Sequence, residues 1–391
     1  MLNRRILRVK AMQALYSYQI SEQSLKEVIN ETLVAKYALD PAIHDFTEKE
    51  LFETRQRQIS EVFFSNLKSS KVAKEVSLEQ EIKQDIQASM DQFYTKLDAE
   101  KRRIKKEMMA QAASIYDWYV KLLMVPGELA FAETQEKDRI QKSSTLKDSQ
   151  KYFPLDSSII IQRISTSKEL QQYSLEHKID WKSQIDDIRT WYKELIRKDE
   201  NYLKLVEAGK SDAAAELNFI LHFYKQLFFK SDLTLAFMTD QLLHWEDDAP
   251  ILKNMITKTL KTLEPEAEDT LVLRPLSINQ EDDFEYFAEL FSETVRRNDE
   301  VGKYIEKKAK NWDMNRISAT DMIILKMAIT EMIIFPSIPV KVTINEFIEI
   351  SKQYSTPKSK QFINGILDVL ANELTSEGIV KKSGRGLIDN K

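Results

Sequence analysis

Arg4, Arg5 and Arg8 stand together at the start of the chain, with Lys10 behind them and no acidic residue among the first ten. A guanidinium is a planar fork of donors that matches phosphate oxygens, so three of them near one helix end could hold a polyanion. A second basic pair, Lys358 and Lys360, follows Thr356-Pro357, a cap and first-turn proline that predict the start of a helix. Helix N-termini carry unpaired N–H groups and the positive end of the helix dipole, so lysines there are mildly unfavourable unless an anion sits nearby. A tolerated cost of roughly a few tenths of a kcal/mol explains the pair equally well. Tyr16 and Tyr354 could stack on unpaired bases, whereas Phe362 heads an apolar stripe and reads first as core. No catalytic constellation is found. His44, His177, His222 and His244 are scattered, there is no Cys, and neither a phosphate-cradling glycine loop nor a nucleophile elbow occurs. No enzyme activity and no cofactor are expected.

The elements that must carry these groups are helices. Seven Gly and nine Pro in 391 residues are few turn formers, which argues for long helices and short links. Leu7, Ala11, Ala14, Leu15 and Tyr18 form an apolar stripe over a predicted helix 2–20, with Arg4, Arg5 and Arg8 off it. Segments 48–76 and 77–125 are helix-rich and highly charged, and Pro126-Gly127 is expected to break the chain there. The run Lys101-Arg102-Arg103-Ile104-Lys105-Lys106 reads first as a solvated helix face, and as an auxiliary RNA contact in the sharper reading. Residues 157–164 could be a short strand or a short buried helix.

Toward the C-terminus the pattern tightens. Asn279 is expected to cap a helix 280–296, and Ser318 with Asp321 to form an acidic capping box opening an apolar helix 319–335 that Pro336 stops. Thr343-Ile344-Asn345-Glu346 reads as a second capping box. The last helix should bury Phe362, Ile366, Val369 and Leu370, and Gly365 inside it suggests close helix–helix approach bridged by Asn364. A weak echo links Phe223–Leu260 with Tyr286–Met327, each an aromatic helix followed by a Trp-acidic pair (Trp312-Asp313 in the second). Chance similarity of amphipathic helices accounts for it as well as a decayed duplication does.

A net charge of -5 excludes a wholly basic nucleic-acid coat, so RNA binding would need a local patch. No apolar run approaches the roughly 20 residues of a membrane helix, and the basic start lacks a signal-peptide core. A cytoplasmic protein without membrane contact is expected.

The stretch NRRILRVKAMQALYSYQ resembles the first helix of the transcription antitermination factor NusB. The stretch from Asp282 to Leu374 resembles the rest of that domain, most specifically in IPVKVTINEFIEISKQY and KQFINGILDVL. Together they cover under a third of the chain. The resemblance implies an all-α fold of two packed three-helix subdomains. It implies binding of the single-stranded boxA element of ribosomal RNA leaders, with the small-subunit ribosomal protein NusE as partner, within an antitermination complex on RNA polymerase. It carries the RNA contacts to Arg4, Arg5 and Arg8, places Gln13 and Tyr16 where the family has Gln and Tyr, and puts Asp321 near the NusE contact. Lys326 departs from a usual Arg, Thr330 from an aromatic or Leu, and Lys358 from a frequent acid. Fusion to a methyltransferase domain is excluded by the glycine-poor middle. The expected organisation is a first NusB-like helix in 1–22, a mainly helical insertion 23–278 with an exposed linker near 133–156, the remainder of the domain in 279–375, and a disordered tail 376–391. The alternative function is a helical interaction scaffold dominated by the insertion.

Overall fold

The scarcity of turn formers is realised as helix almost throughout. The computed structural model describes residues 2–40, 42, 46–69, 71, 78–143, 152–265, 271–308 and 317–390, and among these no residue lies in a β-strand. In chain order the helices are α1 (Arg4–Ala35), α2 (Lys49–Asn66), α3 (Gln80–Ser143), α4 (Ile159–Ser165), α5 (Lys168–Glu176), α6 (Ile185–Trp191), α7 (Glu200–Ala208), α8 (Ala213–His222), α9 (Asp232–Gln241), α10 (Trp245–Leu260), α11 (Gln280–Arg296), α12 (Asn298–Lys308), α13 (Ala319–Ile334), α14 (Val340–Tyr354) and α15 (Ser359–Ser376). The chain divides into two compact units. The bundle unit holds residues 7–110 and 284–391, and the insert unit holds residues 1–6 and 111–283. Residues 23–278 are thus shared between the units.

In the bundle unit α13 is apolar on nearly every side, which only a central helix can satisfy. Ile323 to Met332 are buried apart from half-buried Lys326. Helices α12, α14 and α15 pack with it. Ser318 caps α13 by accepting from Asp321 N at 3.1 Å, as the sequence implies. The second expected capping box is corrected: α14 begins at Val340, after Pro339, and Thr343 lies buried inside the helix. In α15, Phe362, Ile366 and Leu370 are buried, but Val369 is exposed. Gly365 is also corrected. Nothing lies within 4 Å of where its side chain would be, and Asn364 bonds along its own helix to Asp368 at 2.9 Å. The tail is anchored at a few points. Val380 is buried, Lys382 Nζ donates to Phe335 O at 3.0 Å, and Ser383 N donates to Pro336 O at 3.0 Å. A cation thus closes the carbonyl end of α13. Gly386 lies so close to the Pro336 carbonyl that no side chain fits there.

The same unit has a second core. Ile29 and Leu33 of α1, Ile59 and Phe63 of α2, and Ile82, Ile86, Met90 and Phe93 of α3 form one buried cluster. Gln56 Nε2 closes the end of α1 by donating to Val34 O at 2.8 Å.

In the insert unit the expected break at Pro126-Gly127 does not occur, because α3 runs through it. Proline removes one helical donor and pushes away the carbonyl four residues back. The structure supplies replacements: Tyr224 OH donates to Leu122 O, and Trp181 Nε1 donates to Lys121 O at 2.8 Å. Both donors come from an aromatic core in which Trp181 and Trp191 meet edge to face, with ring centroids 5.7 Å apart. Gly127 permits close approach, since a side chain there would meet Ser165 Oγ at 2.9 Å. Residues 159–165 are helix rather than strand, capped by Ser158. The expected linker near 133–156 is corrected within the described residues. Helix continues to Ser143, Glu133 is 0% exposed, and Phe153 and Leu155 are buried. Trp312-Asp313, the second half of the echo, lies outside the described residues.

Glu133 accepts from Tyr202 OH and Asp156 N, each at 2.7 Å. Burial pushes its carboxyl up to about 7. The folded value lies above the ordinary 4.5, so the folded state holds the proton more tightly, and this stabilisation is full below pH 4.5 and lost as pH rises through 7. Relative to Glu133→Gln, the wild type should lose on the order of 3 kcal/mol of stability between those limits. Denaturant titrations at several pH values check this, and parallel profiles for the two proteins would contradict it. Tyr224→Phe should cost about 1–3 kcal/mol by stranding the Leu122 carbonyl. An unchanged denaturation midpoint would show that Pro126 needs no such compensation.

Candidate nucleic-acid interface

The basic start of the chain does not form one open patch. Arg4, in the insert unit, donates through Nη2 to Asp282 at 2.5 Å and through Nε to Asp283 at 3.0 Å. Arg5 is exposed. Arg8, in the bundle unit, is 3% exposed and makes a two-pronged ion pair with Glu331, Nε to Oε2 at 2.7 Å and Nη2 to Oε1 at 2.8 Å. Lys10 is buried too. The expectation of Arg8 as an RNA contact is therefore corrected. Over residues 7–15 α1 is enclosed on most sides, so lying off the apolar stripe does not put a residue in water. Burial alone would lower the guanidinium pKa, but Glu331, Tyr286 and Glu346 around it raise it above its ordinary value and keep it charged.

Glu331 is the hub that sequence reading missed. It is 0% exposed and also accepts from Tyr286 OH and from Thr343 Oγ1, the latter at 2.7 Å. The Arg8 guanidinium lies 5.5 Å from the Tyr286 ring centroid and 5.8 Å from that of Phe347. Helices α1, α11, α13 and α14 are joined at this point. The available signal was an acid in the middle of the apolar helix 319–335, far from its capped start, which requires a buried partner.

Asp321 is corrected as a partner contact. It is 5% exposed, and its carboxylate accepts from Ser355 Oγ at 2.5 Å and Ser359 Oγ at 2.7 Å. Thr356 Oγ1 meets Ser359 Oγ at 2.8 Å. This network fixes the turn between α14 and α15 from below and leaves Lys358 and Lys360 exposed above it. Lys358 precedes the first residue of α15, and no side chain caps the helix there. Two exposed lysines therefore stand at a helix start without a side-chain cap, an arrangement suited to phosphate. On α1, Gln13 is half-buried and Tyr16 is 44% exposed. Lys326 is half-buried and donates to Asn298 Oδ1 at 2.6 Å. Burial lowers its pKa. Among the described residues no group of acids and histidines could hold a metal ion, and no helix is long and apolar enough to cross a membrane.

The fold and the turn together define an all-helical bundle that carries a basic turn at a helix start. The family model described as "NusB family" matches residues 251–372. The transcription antitermination protein NusB of Salinibacter ruber is 48% identical over 103 residues, 26% of this chain and 64% of that protein. That of Chloroherpeton thalassium is 42% identical over 105 residues, 27% of this chain and 50% of the relative. That of Natranaerobius thermophilus is 40% identical over 108 residues, 28% of this chain and 77% of the relative. The chain belongs to the NusB family. It matches only 64% and 50% of the length of the first two relatives. No solved structure matches it significantly.

Arg8→Met should destabilise the protein by about 3–5 kcal/mol, because it leaves Glu331 buried without its partner. Arg5→Met should stay within about 0.5 kcal/mol of wild type. Chemical denaturation followed by circular dichroism distinguishes them, and equal stability of the two variants would refute the structural role given to Arg8.

Proposed function

We propose that this chain is a non-enzymatic, RNA-binding transcription antitermination factor of the cytoplasm. In this reading it binds boxA-type single-stranded RNA of ribosomal RNA leaders, together with NusE, within an antitermination complex on RNA polymerase. The observation that carries the reading is the turn before α15. It lies within the family match, it is held by the Asp321–Ser355–Ser359 network, and it presents Lys358 and Lys360 at an uncapped helix start. The names of the relatives support the process in which such a site would act.

In the bundle unit the residues assigned to RNA are Gln13, Tyr16, Lys358 and Lys360, and Arg5 of the insert unit is assigned a phosphate contact of its own. Three cations supply phosphate contacts, and the exposed Tyr16 ring supplies a stacking face for an unpaired base. Arg4 supports the chain start through its two aspartates, and Arg8 supports the bundle. The long helical insertion adds to this function and does not replace it.

Fluorescence anisotropy with a boxA-type RNA and a scrambled RNA of equal composition, each with and without NusE, tests the reading. Selective binding, tightened by NusE, is expected, with a log–log salt slope of about -2 for three phosphate contacts on a single strand. Lys358→Ala with Lys360→Ala should reduce that slope by about 1.4 and weaken binding without changing the helical signal. Equal affinity for both RNAs with NusE present would sink the proposal.

A further inference from the structure

We propose that the groove between α1 and α3 in the bundle unit, with the basic edge of α3 beside it, is an additional binding site for single-stranded RNA. It would prolong the strand engaged at Tyr16, and the proposal rests on the RNA reading given above. Tyr16, Ile20 and Ser24 follow each other at four-residue intervals and lie on one face of α1. Ile20 is 49% exposed and Ser24 is exposed, so this face continues past the tyrosine as open surface. It leads into a groove of about 560 Å³ whose near wall holds Ile20 and Ser24 and whose far wall holds Lys96 and Arg103 of α3.

The floor of the groove is tied together. Glu100 of α3 accepts from Ser21 Oγ of α1 at 3.0 Å, and Arg103 donates to the same carboxylate. Above this floor, Lys96, Arg103 and Lys106 are seven and three residues apart, roughly two turns and one turn, and all three are exposed on one side of α3. The acids beside this run are spent on the arginines, Asp98 on Arg102 and Glu100 and Glu107 on Arg103. Among the described residues Lys96 and Lys106 have no acidic partner. Two lysines without acidic partners along α3 and an exposed apolar side chain on α1 suit a single strand, with phosphates at Lys96 and Lys106 and a base over Ile20. The Lys101–Lys106 run thereby gains a role on its Arg103–Lys106 side. Its opposite side is structural, with Lys105 Nζ donating to Ser292 Oγ at 2.8 Å.

The test uses the full chain and two labelled RNAs, a boxA-type oligonucleotide and the same oligonucleotide with a uridine tail placed at either end. The wild type should bind one of the tailed RNAs about three- to tenfold tighter than the short one, with a log–log salt slope steeper by about 1.4 for two further phosphates. Lys96→Ala with Lys106→Ala should abolish that gain while leaving affinity for the short RNA unchanged, and Lys96→Arg with Lys106→Arg should restore it. A tail that adds nothing in the wild type, or a gain that survives the alanine variant, would overturn the groove while leaving the first site standing. Binding of an acidic peptide that depends on Lys96 and Lys106, without a tail effect, would assign the edge to a protein and likewise overturn the proposal. If neither RNA binds, the RNA reading itself fails and takes this one with it.

Discussion

The Arg8–Glu331 ion pair is the contact on which the bundle unit depends. Two opposite charges out of water are tolerated only when geometry and further hydrogen bonds compensate for lost hydration. Both conditions hold: the pair is two-pronged, and Tyr286 and Thr343 fill the remaining acceptor positions of Glu331. Each donor comes from a different helix. The pair, 323 residues apart in the chain, therefore fixes how α1 docks against α11, α13 and α14. Apolar packing alone would let such helices slide, whereas a buried charge accepts one register.

This placement explains why a large insertion can sit between the first helix and the rest of the domain. The chain leaves along α1 and returns through α11, and the docking contact lies on the domain side of both. The insertion carries its own cores. Within the bundle unit, parts of α1, α2 and α3 form a separate apolar cluster. In the insert unit, an aromatic core supplies the donors that carry α3 through Pro126. Neither core borrows the Glu331 network.

Much of the fold was legible in sequence, because helix starts are written in local chemistry. Ser318, Asn279 and the apolar run after Asp321 mark their helices within a residue or so. Reading failed where tertiary partners decide. Pro126 looked like a break because its replacement donor lies about a hundred residues away in Tyr224. Thr343 looked like a cap because its real partner, Glu331, is on another helix. Arg8 and Asp321 looked like surface contacts because charge is read as exposure unless a buried counter-charge or donor is known. Gly365 looked like a packing residue, yet it faces open space. The Lys358–Lys360 turn is exposed as read, but α15 begins at Ser359 rather than at Pro357, and the Thr356 hydroxyl meets Ser359 Oγ instead of capping the helix.

The central claim is that RNA meets the first turn of α15 and the Tyr16 face of α1 in a rigid bundle. Amide hydrogen exchange of the full chain with and without boxA-type RNA tests it most directly. New protection at residues 358–361 and around Tyr16, with the amides near Glu331 slow and unchanged in both states, is the result the account requires. Protection confined to residues 111–283, or none at the start of α15, would contradict it.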